Sequence, residues 1–451
     1  MPNKTKILIL GGGFGGVYTA LRLDKTLARR ADVEVTIVSR DNFLLFTPML
    51  HEVASGDLNP ADIVNPIRRM LTRVLYVQAD VQSIDLVAKR VHCTRDMRQF
   101  PLELDYDHLV LALGSETNFF GMQGVAENAV TLKTLGDAAL LRARALEILE
   151  ATSLEPDAAV RKRMLTFVVA GGGFAGVETV GALNDLVRDA LRYYPRLAPQ
   201  EVRFDLLFLE DVILPELGSQ LGRYAQEKLA ARGVEIHPKT QVTDYDGSLV
   251  ALGSGDAISA STLVWTAGVA PSPLLADLQC KKERGRVVVN EFLEAPDVPG
   301  LWAVGDCAAV LDQQTGRLQP PTAQHALRQA RHAAKNIEAV LAGHQKKPFR
   351  FSTIGQLASI GHRHGVANIL GVNFSGFVAW FLWRSVYLLK LPRLAKKIRV
   401  ALSWLLEMIF SKDLEQMLTL RDLHFLSRIT VSLRSDVATQ LGNAIPERKE
   451  S

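Results

Sequence analysis

Cysteine is scarce. Cys93, Cys280 and Cys307 are the only three in 451 residues, and no two form a CxxC pair. That excludes a disulfide framework and a cysteine-ligated metal centre, and no metal site is expected. A reducing compartment fits, with all three thiols free. Long apolar runs are missing too: none reaches the ~18–20 charge-free residues of a spanning helix. The stretch from Ile7 to Leu23 is apolar but broken by glycine, with no small-residue cleavage site after it, so no signal peptide is expected. An Arg- and Ser-rich transit leader is equally absent. Charge is nearly balanced, at a net +4, which gives nucleic-acid binding no compositional support. A chain this long exceeds one compact core, so two or three domains are expected.

What stands out instead is a repeated glycine pattern. Lys6-Ile7-Leu8-Ile9-Leu10 runs into Gly11-Gly12-Gly13-Phe14-Gly15-Gly16, and Leu165-Thr166-Phe167-Val168-Val169-Ala170 runs into Gly171-Gly172-Gly173-Phe174-Ala175-Gly176. Each reads as strand, tight turn and helix start. Gly11 and Gly171 permit the turn, Gly13 and Gly173 let backbone approach a pyrophosphate, and Gly16 and Gly176 let the helix pack on the sheet. The phosphates would rest on free N–H groups at the helix start. Two dinucleotide sites on one chain imply electron transfer between them.

The rest of the chain supplies the sheets. A helix over Val17–Arg30 leads to a strand over Val33–Val38. Ser39 stands where an acid often holds a ribose 2′-OH, and Arg40 follows it. The apolar segment Asn42–Leu50 is broken at Pro48, placing a loop near a cofactor ring. A strand over Val74–Val81, a β-meander, and a strand through Ala112 ending at Gly114 come next. Residues 137–162 read as one charged helix. The second βαβ unit continues through a strand over Val202–Leu209 to Glu210, a carboxylate suited to a ribose 2′-OH and hostile to a 2′-phosphate. Ala267-Gly268 echoes the Gly114 strand end and marks the return crossing to the first domain. Another strand ends in Gly305-Asp306, and Pro320-Pro321-Thr322-Ala323-Gln324 opens a helix through Asn336. One nucleotide-binding unit is thus used twice, the second copy inserted into the first.

With Phe46-Thr47-Pro48-Met49-Leu50, Gly305-Asp306, Pro321-Thr322-Ala323-Gln324, Gly376-Phe377-Val378-Ala379-Trp380 and Trp383-Arg384, the chain resembles the type II NADH:quinone oxidoreductases. These are the single-subunit, non-pumping NADH dehydrogenases of the two-dinucleotide flavoprotein superfamily. The resemblance implies an α/β fold of two Rossmann-like domains, the second inserted in the first, plus a C-terminal membrane-associating helical region. The expected division is 1–116 and 269–345 for FAD, 117–268 for NADH, and 346–451 for quinone, membrane docking and dimerisation. FAD belongs in the first fingerprint, including Phe14 and Gly15, and NADH in the second, including Phe174. Asp306 would accept a hydrogen bond from the ribityl chain, backbone near Val81 would hold adenine, and the helix from Ala323 would point its positive end at the flavin. Glu178, assigned to the first turn of the second nucleotide-binding helix, suits the helix dipole; the resemblance places it beside nicotinamide and flavin. Gln324 faces flavin and quinone. Arg328 stands where many relatives carry a second Gln, followed by Gln329. Arg384 falls near the expected quinone entrance.

Residues 376–410 combine Trp380, Trp383, Tyr387 and Trp404 with Arg393, Lys396, Lys397 and Arg399 around an apolar stripe of Leu394, Ile398, Ala401, Leu402, Leu405 and Ile409. Arg384 and Pro392 disfavour a spanning helix, so the pattern fits helices lying in the bilayer interface. A dimer interface or ordinary core is the alternative. A monotopic homodimer on the cytoplasmic face of the cell membrane is expected, with a frayed charged end around Pro446. Three other functions fit the fingerprints less well. A sulfide:quinone reductase would need a cysteine pair, and a soluble NADH:ferredoxin-type reductase would not need the aromatic basic tail. A non-catalytic NADH sensor would lack quinone turnover.

Overall fold

The computed structural model describes residues 4–95, 99–313, 315–410 and 412–415. The charged end around Pro446 lies outside the described residues. Two parallel five-stranded sheets form the frame. The first begins with β1 (Thr5–Leu10), which feeds α1 (Phe14–Asp24) and pairs with β2 (Val33–Ser39). β3 (Leu75–Gln78) and β4 (His108–Leu111) extend it on either side. The second holds β5 (Val130–Thr131), β6 (Thr166–Ala170), β7 (Arg203–Leu207), β8 (Val234–His237) and β9 (Thr262–Trp265) in the order β5-β9-β6-β7-β8. The chain then returns to the first sheet, where β10 (Leu301–Ala303) pairs with β4. An antiparallel ribbon marks the double crossing, Ser115–Thr117 against Val269–Pro271.

The central strands read as unbroken apolar runs because helices cover both faces. Ile9, Leu10, Phe167, Val168 and Val169 are all buried. Helices α2 (Leu135–Thr152) and α3 (Phe174–Ala190) pack on the second sheet, and α4 (Ala323–Leu341) packs beside α1. Thr19 Oγ1 and Arg22 of α1 reach α4 at the Ala330 carbonyl and Glu338. The expected helix over 137–162 is two helices, α2 and Ala158–Met164. Pro156 has no N–H to continue the ladder and drives the residue before it out of helical geometry. The expected strand over Val74–Val81 likewise splits between β3 and a strand Asp80–Asp85 in a separate antiparallel sheet.

The C-terminal region forms α5 (Gly376–Lys390) and α6 (Leu394–Glu407). No described helix is long and apolar enough to cross a membrane. The tryptophans are not interface anchors. Trp380, Trp383 and Trp404 are buried, and the latter two join the apolar core of the second sheet. Burying one such side chain stabilises the fold by roughly 3 kcal/mol. The opposite faces are bare: Phe377, Phe381, Leu394, Ile398, Leu402, Leu405 and Ile409 are all more than half exposed.

Candidate active site

A cavity of about 1250 Å³ runs between the two sheets and reaches α5. A single small-molecule site takes roughly 300–1,000 Å³, so this space admits more than one ligand. Phe14 and Gly15 of the first fingerprint line it, as do Phe174 and Ala175 of the second, with Pro48, Ala112, Gly114, Gly268, Gly305 and Asp306.

The fingerprints are built alike. Gly11 has φ +112° and Gly171 +124°, a conformation that favours glycine. A Cβ on Gly16 would lie 1.8 Å from the Gly11 carbonyl oxygen, and one on Gly176 2.0 Å from that of Gly171. Gly13 and Gly173 precede α1 and α3 with no side-chain cap, and a Cβ on either would meet nothing within 4 Å. Each helix therefore presents unsatisfied N–H groups to open space, the arrangement that receives a pyrophosphate.

A third helix start faces the same cavity. Thr322, Ala323 and Gln324 line it, and Thr322 makes no capping bond; its hydroxyl engages His325 Nδ1 at 2.7 Å. That positive end stabilises negative charge placed against it. Nearby, Ser115 Oγ donates to Asp306 Oδ2 at 2.6 Å, and Lys133 Nζ donates to Ser115 Oγ at 2.7 Å. Burial lowers the Lys133 pKa, and the Asp306 charge opposes that.

Gln324 and Arg328 share one face of α4 and both line the cavity. Gln324 Nε2 donates to the Gly355 carbonyl at 3.4 Å, and the Arg328 guanidinium lies 4.1 Å from the Phe351 ring centre. Gln329 turns inward instead. It accepts the Gly305 N–H at 2.8 Å and donates to Gln319 at 3.0 Å. Arg328, rather than its neighbour, holds the polar position at the cavity.

Glu178 is the fifth residue of α3 and opens its second turn, not its first, because the helix begins at Phe174. Its carboxyl reaches the cavity wall yet is buried. Oε1 accepts from Trp383 Nε1 at 3.0 Å and from the Ser359 N–H at 3.1 Å, while Oε2 lies 3.6 Å from His51 Nδ1. Burial pushes its pKa up to about 8; the two hydrogen bonds pull the other way and the Glu52 charge adds to the rise. Burial holds His51 down to about 4, with Asp57 opposing and Arg384 reinforcing. At neutral pH the pair is a protonated acid beside an uncharged imidazole.

Arg384 does not line the cavity. It is buried among α5, α6 and the short helix Leu50–Ala54, where its guanidinium lies 2.7 Å from Glu407 and 3.7 Å from Glu52. It also lies over Trp380 at 4.3 Å and Trp404 at 4.7 Å. Trp404 Nε1 donates to Glu52 Oε2 at 3.1 Å. Burial pushes Glu52 up to about 8 against the pull of Arg384. The sequence reading missed this cluster and missed His51. The available signal was the ionisable pair His51-Glu52 directly after the apolar Met49-Leu50.

Other expected residues stand off the cavity wall. Ser39 packs beneath the first fingerprint, where a Cβ on Gly12 would lie 2.2 Å from its Oγ. Arg40 and Ala267 are exposed, and Val81 lies in the strand Asp80–Asp85. Glu210 is exposed three residues beyond the end of β7, and its neighbour Asp211 pairs with Lys239 at 2.8 Å. Cys307 is a structural thiol. The Gly114 N–H donates to its sulfur at 3.1 Å, and burial pushes it up to about 12.

Two dinucleotide cradles opening on one cavity define a pyridine-nucleotide oxidoreductase. Residues 5–330 match the family described as pyridine nucleotide-disulphide oxidoreductase, and residues 354–413 match the NDH2 C-terminal domain. A probable NADH dehydrogenase of Dictyostelium discoideum is 34% identical over 427 residues, covering 91% of each chain. A type II NADH:quinone oxidoreductase of Mycobacterium tuberculosis is 32% identical over 455 residues, covering 97% of this chain and 95% of that one. The structure of NDH2 from Plasmodium falciparum in complex with NADH superposes with a TM-score of 0.85 at 21% identity, covering 92% of this chain and all of that one. The sulfide:quinone oxidoreductase of Aquifex aeolicus shares the fold less closely, with a TM-score of 0.67 at 18% identity. The chain belongs to the type II NADH:quinone oxidoreductase family.

Proposed function

We propose that this protein oxidises NADH at a bound FAD and passes two electrons to a membrane quinone without pumping protons. The observation that carries the reading is the shared cavity. It joins Phe14-Gly15, Phe174-Ala175, the α4 start and Tyr387 of the C-terminal helices. The residues present fit a flavin dinucleotide: an uncapped helix start at Gly13, open space in front of it, and a second positive helix end at Ala323. FAD held there supplies the two-electron carrier between nicotinamide and quinone.

The chain's own residues bind, orient and tune. Gly11, Gly13, Phe14, Gly15 and Gly16 hold the FAD pyrophosphate, Ser39, Arg40 and Val81 its adenosine end, and Pro48, Ala112, Gly114, Gly305, Asp306 and Ala323 its ring and ribityl end. Gly171, Gly173, Phe174, Gly176, Ala267 and Gly268 hold NADH, with Glu210 on the ribose 2′-OH. Gln324 and Arg328 offer hydrogen bonds to a quinone carbonyl, and the protonated Glu178 stands at the cavity wall as a proton source. The division 1–116, 117–268, 269–345 and 346–451 belongs to the same reading. The exposed apolar face of α5 and α6 supports monotopic docking on the cytoplasmic face of the membrane by a homodimer.

The test is spectral. The purified protein is yellow, bleaches with NADH but not with equimolar NADPH, and recovers its colour on adding a short-chain quinone. A colourless protein, or one reoxidised only by ferredoxin or dyes, refutes the assignment.

A further inference from the structure

One part of the cavity is left over once both nucleotide cradles and the quinone-facing pair Gln324 and Arg328 are assigned. It follows a groove between α1 and α4, away from the fingerprints. Tyr18 and Leu21 of α1, with Lys25 just past its end, line it, as do Leu327 and Arg331 of α4. Both sets recur at the three-to-four-residue spacing of one helix face. Lys25 lies eleven residues past Phe14, about 16 Å further along the axis at ~1.5 Å per residue. It is therefore out of reach of a pyrophosphate seated at Gly13. Arg69 and Met70 close the groove on one side, and the segment Leu389–Arg393 on the other.

Besides Arg328, five cations line this cavity away from the fingerprints: Lys25, Arg69, Arg331, Lys390 and Arg393. Among the described residues none of them forms an ion pair with a carboxylate. Their recorded partners are rings: Phe351 for Arg328 at 4.1 Å, Tyr18 for Arg331 at 5.2 Å, Tyr387 for Lys390 at 5.5 Å. They also oppose one another, since Arg328 helps to lower the Lys390 pKa after burial itself. Among the described residues, the only acids on the cavity wall, Glu178 and Asp306, are engaged elsewhere, with Trp383 and with Ser115. Cations lining one cavity with no carboxylate partner among the described residues favour an anion. The floor between them is apolar, formed by Leu21, Met70, Leu327, Leu389 and Leu391. Leu389 and Leu394 continue outward, 71% and 72% exposed, onto the bare face of α5 and α6.

We propose that this part of the cavity binds the phosphate headgroup of an anionic phospholipid, with its acyl chains leaving over Leu389 and Leu394 toward the bilayer. A free phosphate would satisfy the charges but not the apolar floor, and a lipid satisfies both. The site rests on the membrane-docking reading of α5 and α6 but makes a separate claim, for one retained lipid rather than general surface attraction.

The experiment uses the full-length flavoprotein in detergent, titrated with short-chain phosphatidylglycerol, with the matching phosphatidylcholine, and with inorganic phosphate. Retained lipid is counted by native mass spectrometry. One phosphatidylglycerol is expected to bind at least tenfold more tightly than phosphatidylcholine. Each juxtamembrane cation contributes on the order of fivefold, so the triple variant Lys25→Gln/Arg69→Gln/Arg331→Gln should lose roughly a hundredfold. All three side chains are exposed, so folding is spared. Lys397→Gln/Arg399→Gln on α6 should weaken liposome co-sedimentation and leave the retained lipid unchanged. Equal retention of both lipids, unchanged retention by the triple variant, or displacement of the lipid by millimolar phosphate each overturns the proposal. An unsubstituted protein that retains one phosphatidylglycerol but fails to co-sediment with liposomes would overturn the docking reading and keep the site.

Discussion

Glu178→Gln separates the buried-acid reading from an ionised one. The glutamine oxygen can keep both bonds that Oε1 now accepts, from Trp383 at 3.0 Å and Ser359 at 3.1 Å. Its amide can donate to His51 Nδ1, which lies 3.6 Å from Oε2. The substitution therefore removes a titration and little else. Burial raises this carboxyl from 4.5 to about 8. A folded-state pKa above the unfolded one means the native state holds its proton longer. The stabilisation is complete below pH 4.5 and fades as pH rises toward 8. Between pH 6 and pH 9 the wild type should lose on the order of 2–3 kcal/mol from this group. For a chain of this size 1 kcal/mol corresponds to roughly 1 °C in midpoint. Thermal unfolding of wild type and variant should agree within about 1 °C at pH 6, and the variant should be about 2–3 °C more stable at pH 9. Parallel pH curves would mean the carboxyl is already ionised at neutrality, and the proton-source role proposed for it would fall.

Further outcomes are expected. Gly16→Ala drives a Cβ to 1.8 Å from the Gly11 carbonyl and should yield protein without bound flavin, read by absorbance; Gly13→Ala, whose Cβ meets nothing within 4 Å, should fold and hold the flavin more weakly. Glu210→Ser should narrow the NADH-over-NADPH preference in kcat/KM by about tenfold, some 1.4 kcal/mol, since one 2′-OH acceptor is lost. Arg384→Ala strips the partner 2.7 Å from Glu407 and should destabilise the fold by about 3 kcal/mol while NADH still bleaches the flavin; lost bleaching with an unchanged melting curve would contradict this. The triple change Phe381→Ser/Leu402→Ser/Leu405→Ser touches only exposed side chains and should reduce liposome co-sedimentation at least tenfold, at roughly 1.5 kcal/mol per apolar group withdrawn.

The fingerprints were legible because their constraint is local. A positive φ at Gly11 and Gly171, and a helix start that tolerates no Cβ at Gly16 and Gly176, are conditions on a few consecutive residues. The start of α4 was legible for the same reason, with Pro321 ahead of Thr322 and Ala323. Tertiary cover was not. Trp380, Trp383 and Trp404 carry an interfacial composition, but whether an aromatic stripe meets lipid or core depends on what packs against it. Here α3 and the helix Leu50–Ala54 supply Glu178 and Glu52 as partners for the Trp383 and Trp404 indoles. Arg384 was equally hard to place: position along the helix set it near a ligand, and the structure sets it beside the buried Glu52 and the half-buried Glu407, off the cavity wall.

The two faces of the C-terminal helices therefore do different jobs that one sequence stripe conceals. The outer face is bare apolar surface, and the inner face builds the wall around Glu178 and His51. Trp383 donates to Glu178 and lies 5.4 Å from the His51 ring, so removing α5 would uncover the acid as well as any membrane contact. A chain truncated before Gly376 would lose the protonated state of Glu178 and a share of the core along with any lipid binding. Only substitutions confined to the outer face can tell attachment from chemistry. Conversely, a shift of α5 reaches the cavity wall through the indole N–H bond at 3.0 Å to Glu178, and a shift of α6 reaches the neighbouring Glu52 through another at 3.1 Å. The bare outer face and the solvation of these acids are thus tied to the same rigid elements.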